Sequence, residues 1–289
     1  MGPVRSRAGR VLRLVGAAAA AFLLWLVALW PPPAWYRSHF PRETSFMAMR
    51  RRQGDDPALR RYQPVPLARI PRTMQQAVLV SEDHRFFVHG GVDYQEVRKA
   101  LGYQRDEFEW SRGRDRSDLW RALSRAWTRR DRVRGASTIT QQLAKNLYLS
   151  PSRNPLRKVK ELVTAWRLES ALSKDRILEL YLNVVELGPG VWGVEAASQK
   201  YFRRPAARLS DAQAALLAAT LPGPLRANPG YRPGRIRWRQ ELILRRMRGE
   251  GIVVPPPEEE EAPEPPSELP APPDTTAQPT PSDTIPRRN

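Results

Sequence analysis

The sequence predicts a mainly helical domain that follows an N-terminal transmembrane helix. Between residues 73 and 250, polar caps repeatedly precede apolar residues spaced three or four apart, which is the pattern of amphipathic helices. No stretch there shows the strict alternation of half-buried strands, and the glycine-rich residues 188–193 read as a loop. The transmembrane helix is predicted by a basic flank followed by an apolar run near the N-terminus.

Composition narrows the class of partner. The chain has 289 residues, no cysteine and a net charge of +18, so it allows one sizeable domain with additional segments and excludes disulfides and thiolate metal sites. Residues 255–289 carry eight acids and two arginines, a net charge of −6, and removing them leaves +24. This strongly basic part of the chain favours an anionic partner. The charge alone does not decide between nucleic acid, anionic lipid and a phosphate-bearing substrate.

The first 36 residues have the pattern of a signal anchor. Residues 1–13 hold four arginines, and the apolar run Leu14–Trp30 is stopped by Pro31–Pro33. We predict a cytoplasmic basic segment over 1–13 and a transmembrane anchor over 14–36, oriented by the excess of positive charge before it. A cleaved signal peptide is the alternative, although no clear small-x-small site follows the apolar run.

Three further segments follow the anchor. Residues 37–72 are polar and proline-containing, as expected of a linker and lead-in. Residues 73–250 form the predicted folded domain, in which a helix begins near Met74 and continues to a glycine stop at 89–93. Residues 251–289 are rich in proline and glutamate and cannot bury a core, so we expect a disordered tail.

Residues 135–146 (GASTITQQLAKN) are central to the functional prediction. Thr138 and Gln141 fit a capping box at a helix start, where free N–H groups and the helix dipole favour an anion. Gln141 and Lys145 are four apart and share one face. The apolar residues of the same stretch can pack the core; they are Ile139, Leu143 and Leu147. The alternative is an ordinary capped amphipathic helix with a surface lysine.

Two charged features complete the pattern. Glu82 lies near the end of an apolar helix among aromatic residues, where a carboxyl can have a raised pKa and act as an acid or base; the alternative is a helix-end carboxylate paired with an arginine. Around Glu161 stand more cations than one carboxylate needs, and a phosphate group would satisfy them better. Those cations, which could instead form a solvated helix face, are Arg153, Arg157, Lys158 and Lys160.

Four stretches resemble, in the same order, the motifs of the peptidoglycan glycosyltransferases (glycosyltransferase family 51). They are residues 82–93 (EDHRFFVHGGVD), 135–146, 157–161 (RKVKE) and 177–183 (ILELYLN). The resemblance covers roughly residues 60–247. The chain contains no Ser-x-x-Lys and no Lys-Thr-Gly, the residues that penicillin-binding transpeptidase chemistry needs, so we expect the monofunctional, membrane-anchored type.

The resemblance implies a lysozyme-like fold of two lobes with a cleft between them, and an enzyme that polymerises lipid II. The growing glycan on undecaprenyl pyrophosphate is the donor, the 4-hydroxyl of the incoming lipid II is the acceptor, and the anomeric centre inverts. Glu82 matches the catalytic base, and Lys145, Arg153 and Glu161 match the donor pyrophosphate side. The matching sugar and phosphate contacts are Ser137, Thr138, Gln141, Gln142 and Asn146, with Asp83 in a supporting role.

That chemistry agrees with the residue types. A direct displacement needs one base, and pyrophosphate leaves without a proton if its charge is neutralised, so this enzyme needs cations where a glycosidase needs a second carboxyl as acid. The cations available are Lys145, Arg153, Arg157 and Lys160. Glu161 then orders these cations or a divalent metal. The resemblance implies help from Mg²⁺ or Mn²⁺, which the substrate phosphates would share because the sequence shows no independent metal cage.

The resemblance also implies partners and a location. We expect lipid II, the glycan strand, the membrane and other cell-wall synthesis or division proteins as partners, and no nucleic acid. The expected location is the bacterial inner membrane, crossed once, with the catalytic domain in the periplasm. Two alternatives remain: a lytic transglycosylase or hydrolase with Glu82 as acid, and a catalytically idle scaffold. Residues 102–134 are longer and more charged than the family pattern, and we expect only packing roles for His84 and Trp192.

Overall fold

The computed structural model describes residues 7–96, 117, 121, 137–149 and 155–250, and elements are numbered within these ranges. The helices are α1 (Arg7–Val27), α2 (Ser45–Arg52), α3 (Arg72–Glu82), α4 (Ile139–Tyr148), α5 (Pro155–Ala171), α6 (Lys174–Val184), α7 (Val194–Phe202), α8 (Asp211–Thr220) and α9 (Gly234–Met247). The strands are β1 (Arg61–Tyr62), β2 (Glu186–Gly188) and β3 (Val191–Trp192). The mainly helical prediction is confirmed.

The helix starts follow the capping residues of the sequence. Thr138 accepts a hydrogen bond from the backbone of Gln141 at the start of α4, and Ser173 caps α6 in the same way. Ser210 and Gln213 form a reciprocal capping box at the start of α8. At each start a side-chain oxygen satisfies a backbone N–H that has no partner within the helix.

The central core lies between α3, α4, α6, α8 and α9. Helix α4 packs on α5 and α6, and helix α8 packs on both α3 and α9. The core prediction for α4 is confirmed, since Ile139, Leu143 and Leu147 are all buried. This packing fixes the polar face of α4 against the end of α3 on one side and against α5 on the other.

The prediction of a loop at residues 188–193 is correct only for the turn at 189–190 and for Gly193. The rest of the stretch contributes to a three-stranded sheet in the order β1-β3-β2, in which β3 runs parallel to β1 and antiparallel to β2. The strands are too short to show an alternating pattern in the sequence. Gly193 ends the sheet at a φ of +81°, where a Cβ atom would lie 2.3 Å from the carbonyl oxygen of Asn183, so only glycine fits. Trp192 is buried, as predicted.

The bounds of α1 and α3 differ from the predicted ones. Helix α1 begins at Arg7 and ends at Val27, whereas the predicted anchor extends to residue 36. Within the described residues, no helix combines the length and the apolar character needed to cross a membrane. The predicted transmembrane span over 14–36 is therefore not confirmed. Helix α3 stops at Glu82 rather than at the glycines of 89–93, and a short 3-10 helix follows at Phe86–Val88.

Several predicted segments lie outside the described residues. They are residues 1–6, the tail over 251–289, nearly all of the charged stretch 102–134, and Arg153.

Candidate active site

Glu82 is the last residue of α3 and points into a polar network. One carboxylate oxygen, Oε1, accepts a hydrogen bond from Nη2 of Arg239 on α9 at 2.9 Å, and Oε2 accepts one from Nε2 of Gln142 on α4 at 3.0 Å. The side chain is 13% exposed. Burial raises the pKa of Glu82 above its ordinary value, while Gln142, Arg239 and Lys145 act in the opposite direction. A buried carboxylate with a raised pKa is a stronger base than an exposed one.

Tyr181 on α6 supports the same network from behind. Its hydroxyl donates to Oε1 of Gln142 at 2.9 Å. Because Tyr181 occupies the carbonyl end of the amide, the amino end faces Glu82. Tyr181 is fully buried, and burial raises its pKa well above the ordinary value. The phenol is thus held in its neutral, donating form.

Asp83 anchors the start of α4. Its carboxylate accepts the backbone N–H of Ile139 at 3.0 Å and pairs with Nε2 of His89 at 2.9 Å. Thr138, the cap of α4, donates its hydroxyl to the carbonyl oxygen of Gly91 at 2.6 Å. Two contacts therefore join the segment after Glu82 to the helix start predicted to bind substrate.

The other side of α4 faces a cluster of cations. Glu161 on α5 accepts hydrogen bonds from Nη1 of Arg157 at 2.7 Å and from Nζ of Lys158 at 2.5 Å. Nζ of Lys158 also lies 3.3 Å from the side-chain oxygens of Ser137 and Gln141. Among the described residues, one carboxylate thus contacts two cations, a balance of charge that suits an anion.

Lys145 lies between the two sides of the site. Burial lowers the pKa of Lys145; the carboxylates of Glu161 and Glu82 raise it, while the cations Arg157 and Lys158 lower it further. Nζ of Lys145 lies 5.6 Å from the ring centroid of Phe46. A partly desolvated ammonium that feels both carboxylates can interact with an anion bound beside either of them.

A cleft of about 570 Å³ opens beside Glu82. Residues of α3, of the start of α4 and of the end of α9 line it, and Glu82, Asp83, Ser137, Thr138 and Arg246 are among them. His84 also lines the cleft and is exposed, so the expectation that it packs is wrong. The cleft therefore gives a ligand access to the Glu82 carboxylate.

The predicted site residues are mostly brought together. Glu82, Asp83 and Gln142 meet on one side of α4, and the residues Ser137, Gln141, Arg157 and Glu161 meet on the other, while Asn146 is buried on α4. Lys160 points elsewhere, with Nζ 4.3 Å from the ring centroid of Trp25 on α1. Lys158, which was also predicted among the cations around Glu161, is the lysine that contacts this carboxylate in the described residues. Arg153 is outside the described residues.

Sequence reasoning missed Arg239 and Tyr181. Helix α9 carries five arginines and is basic along its length, so composition does not distinguish the one that reaches Glu82. Tyr181 lies within the ILELYLN stretch, where it reads as one apolar residue among others. A tyrosine on the core face of a helix needs a partner for its hydroxyl, and this was the available signal.

No ready-made metal site accompanies these groups. In the ranges that the structure describes, no three histidine, aspartate or glutamate side chains lie close enough together to hold a metal ion. Arg157 and Lys158 already occupy the two oxygens of Glu161. These residues alone do not fit a metal cage.

Comparisons with known proteins identify the family of the chain. The transglycosylase family model matches residues 53–114 and 103–248. A biosynthetic peptidoglycan transglycosylase of Bordetella pertussis is 42% identical over 241 residues, covering 82% of this chain and 91% of its own length. Relatives of the same name from Thiobacillus denitrificans and Pasteurella multocida are 40% and 45% identical, covering 83% and 64% of this chain and 95% and 66% of their own lengths. The chain belongs to the transglycosylase family.

Proposed function

We propose that this chain is a peptidoglycan glycosyltransferase that polymerises lipid II into glycan strands by inverting transfer. The observation that carries the proposal is the division of charge across helix α4, with a buried carboxylate on one side and an excess of cations on the other. The names of the relatives support the substrate class. We assign the catalytic domain to the lysozyme-like, two-lobed type, and the mainly helical fold supports this assignment.

Glu82 is the general base of the proposed reaction. It takes the proton of the acceptor 4-hydroxyl as that oxygen attacks the anomeric carbon of the donor. The cleft gives the acceptor access to the carboxylate, and both carboxylate oxygens are already oriented, by Arg239 and Gln142. A positioned base of this kind contributes roughly 10²- to 10⁴-fold to the rate.

The cation cluster stabilises the leaving group. When the bond between the anomeric carbon and the pyrophosphate oxygen breaks, the oxygen keeps the electron pair and undecaprenyl pyrophosphate departs. Lys145, Arg157 and Lys158 hold positive charge where that negative charge develops, and Arg153 remains a predicted contributor. Glu161 orders Arg157 and Lys158 rather than donating a proton, since both of its oxygens accept from them. A divalent cation would share the substrate phosphates, and no step depends on it.

The proposed reaction takes place at a membrane surface, because lipid II and the carrier of the polymer are both lipid-linked. Helix α1 exposes several large apolar side chains, including Leu12, Leu24 and Trp25. Their exposure supports association with the inner membrane on the periplasmic side. Contacts with other cell-wall synthesis proteins stay predictions.

The test is polymerisation of purified lipid II by the full chain in detergent with a divalent cation, comparing the wild type with Glu82→Gln. We expect polymer from the wild type and a loss of roughly 10³-fold or more in the variant, because glutamine keeps the shape but cannot accept the proton. Polymerisation at the wild-type rate by a folded Glu82→Gln protein would overturn the base assignment. Shortening of preformed glycan, without polymer from lipid II, would point instead to a lytic enzyme.

A further inference from the structure

Arg239 reaches Glu82 from a helix that contributes no other residue to the proposed chemistry. Its Nη2 donates to the carboxylate at 2.9 Å and lies 3.4 Å from the carbonyl oxygen of Ser81. Both partners belong to the last turn of α3. Helix α9 is held in place by packing on α8 and α3, so the guanidinium is presented to Glu82 by the core of the domain.

Arg239 makes its shortest side-chain hydrogen bond to Glu82. Its Nε is buried and finds no hydrogen-bond partner within the part of the chain that the structure describes. The hydrogen bond at 2.9 Å to the Glu82 carboxylate is therefore the main polar contact of this side chain within the described residues.

Tyr181 acts on the other carboxylate oxygen, through Gln142. An amide that touches a carboxylate can present either its amino group or its carbonyl, and only the amino group is attractive. The Tyr181 hydroxyl donates to the amide oxygen at 2.9 Å and so selects the attractive orientation. A series of hydrogen bonds therefore connects four helices, α6, α4, α3 and α9, through Tyr181, Gln142, Glu82 and Arg239.

We propose that Arg239 and Tyr181 are positioning residues that hold the Glu82 carboxylate ionised and aimed into the cleft. The inference rests on the proposed role of Glu82 as base, and it assigns the residues that make this base usable. Burial alone would favour the neutral carboxyl, which cannot accept a proton. Arg239 supplies the opposing charge, and Tyr181 secures the opposing hydrogen bond.

The charges around Glu82 set the expected pH effect. Arg239 on α9 and Lys145 on α4 are the cations whose charge lowers the pKa of Glu82. Asp83 follows it in the chain, and Tyr181 faces it in the neutral form. The other titratable groups that line the cleft are His84, Asp93, Glu96, Arg246 and Glu250. All of these remain in an Arg239 variant, so the variant isolates the contribution of one cation.

The experiment follows kcat and kcat/KM for lipid II polymerisation against pH in Arg239→Gln, Arg239→Lys and Tyr181→Phe proteins. In Arg239→Gln, the acid limb of kcat/KM should move up by at least about one pH unit, the usual effect of losing an opposite charge at this distance. Arg239→Lys should keep the limb near its wild-type position because it keeps the charge. Tyr181→Phe should lower kcat about tenfold with KM within about twofold.

Arg245→Gln is the matched control. Arg245 lies on the same helix and pairs with Glu241 at the surface, so its removal should leave the limb unchanged. The inference is overturned if folded Arg239→Gln keeps the wild-type limb, or if Tyr181→Phe keeps the wild-type kcat. Glu82→Gln separates the two hypotheses: if it is inactive while the Arg239 limb stays fixed, only the positioning role fails, and if it is active the base assignment itself fails.

A readout without turnover covers the case of variants too slow to assay. The ionisation of Glu82 can be followed by carboxyl-stretch infrared titration, with the band assigned by its loss in Glu82→Gln. In Arg239→Gln the Glu82 carboxyl should protonate at a higher pH than in the wild type, and an unchanged titration would overturn the inference.

Discussion

Helix α4 separates two charged regions that are built on opposite principles. On one side, Glu82 is a carboxylate with one arginine and one amide, and burial raises its pKa. On the other side, Glu161 is a carboxylate with two cations at 2.7 and 2.5 Å. Both acids lie beside the same helix, and they differ in the number of cations that contact them.

The difference explains how one helix can serve both ends of a transfer reaction. A general base needs a raised pKa so that it takes up a proton readily, and burial with few charged partners raises the pKa of a carboxyl group. A leaving-group site must hold excess positive charge, which two cations sharing one carboxylate provide. Lys145 lies between these regions and interacts electrostatically with both carboxylates. A substitution of Lys145 is therefore the most direct test of the difference between the two regions.

Removing the charge of Lys145 should have the largest effect among changes to the cation side. We expect Lys145→Met to lower kcat/KM for lipid II roughly 10²- to 10³-fold, the usual cost of losing one group that stabilises developing negative charge. Lys145→Arg should recover part of the loss. The measurement is the initial rate of polymerisation at saturating and limiting lipid II.

Lys200→Met is the matched control for that substitution. Lys200 is an exposed lysine on α7, near Pro189 and Tyr201 and outside the site. It should retain the wild-type rate. A Lys145→Met enzyme that is equally active would remove Lys145 from the leaving-group side and leave the two regions unconnected.

Whether a feature of these regions could be predicted from the sequence depends on how far apart in the sequence the interacting residues lie. Local features were predictable: Thr138 and Ser210 cap their helices, and the apolar spacing of α4 places Leu143 in the core. The pairing of Glu82 with Arg239 spans 157 residues and depends on how α9 packs on α3, which no local pattern records.

The choice between Lys158 and Lys160 shows the same limit at short range. Both follow Arg157 on one helix, and composition gives no reason to prefer either. Successive helical residues are about 100° apart, so a shift of two positions turns the side chain away from Glu161. In α5 this rotation brings Lys160 to Trp25 on α1, a contact that depends on tertiary packing.

The pH dependence of the wild type sharpens the comparison by titrating both regions at once. The pKa of Glu82 is raised from 4.5, so the base form should be lost as pH falls at a pH above that value. The pKa of Lys145 is lowered from 10.5, so the cation should be lost as pH rises at a pH below that value. We expect a bell-shaped kcat/KM profile narrowed on both limbs, with about a tenfold loss per pH unit beyond each limb.

A single substitution separates the two limbs. Lys145→Arg should carry the alkaline limb to higher pH, because arginine keeps its charge over the whole range, and should leave the acid limb in place. An alkaline limb that stays fixed in this variant would assign that limb to a group other than Lys145.

The smallest expected effect distinguishes the two lysines of α5. Lys158 is partly exposed but contacts Glu161, Ser137 and Gln141, so Lys158→Gln should weaken donor use up to about tenfold, seen mainly in KM. A surface-exposed charge contributes less than a buried one because solvent screens it. Lys160→Gln should change the rate in detergent by no more than about twofold, since its ammonium lies over Trp25 and away from Glu161. The opposite ranking, with Lys160 the more costly loss, would mean that α5 turns on binding the donor and that the cation side is assembled by the substrate rather than built in advance.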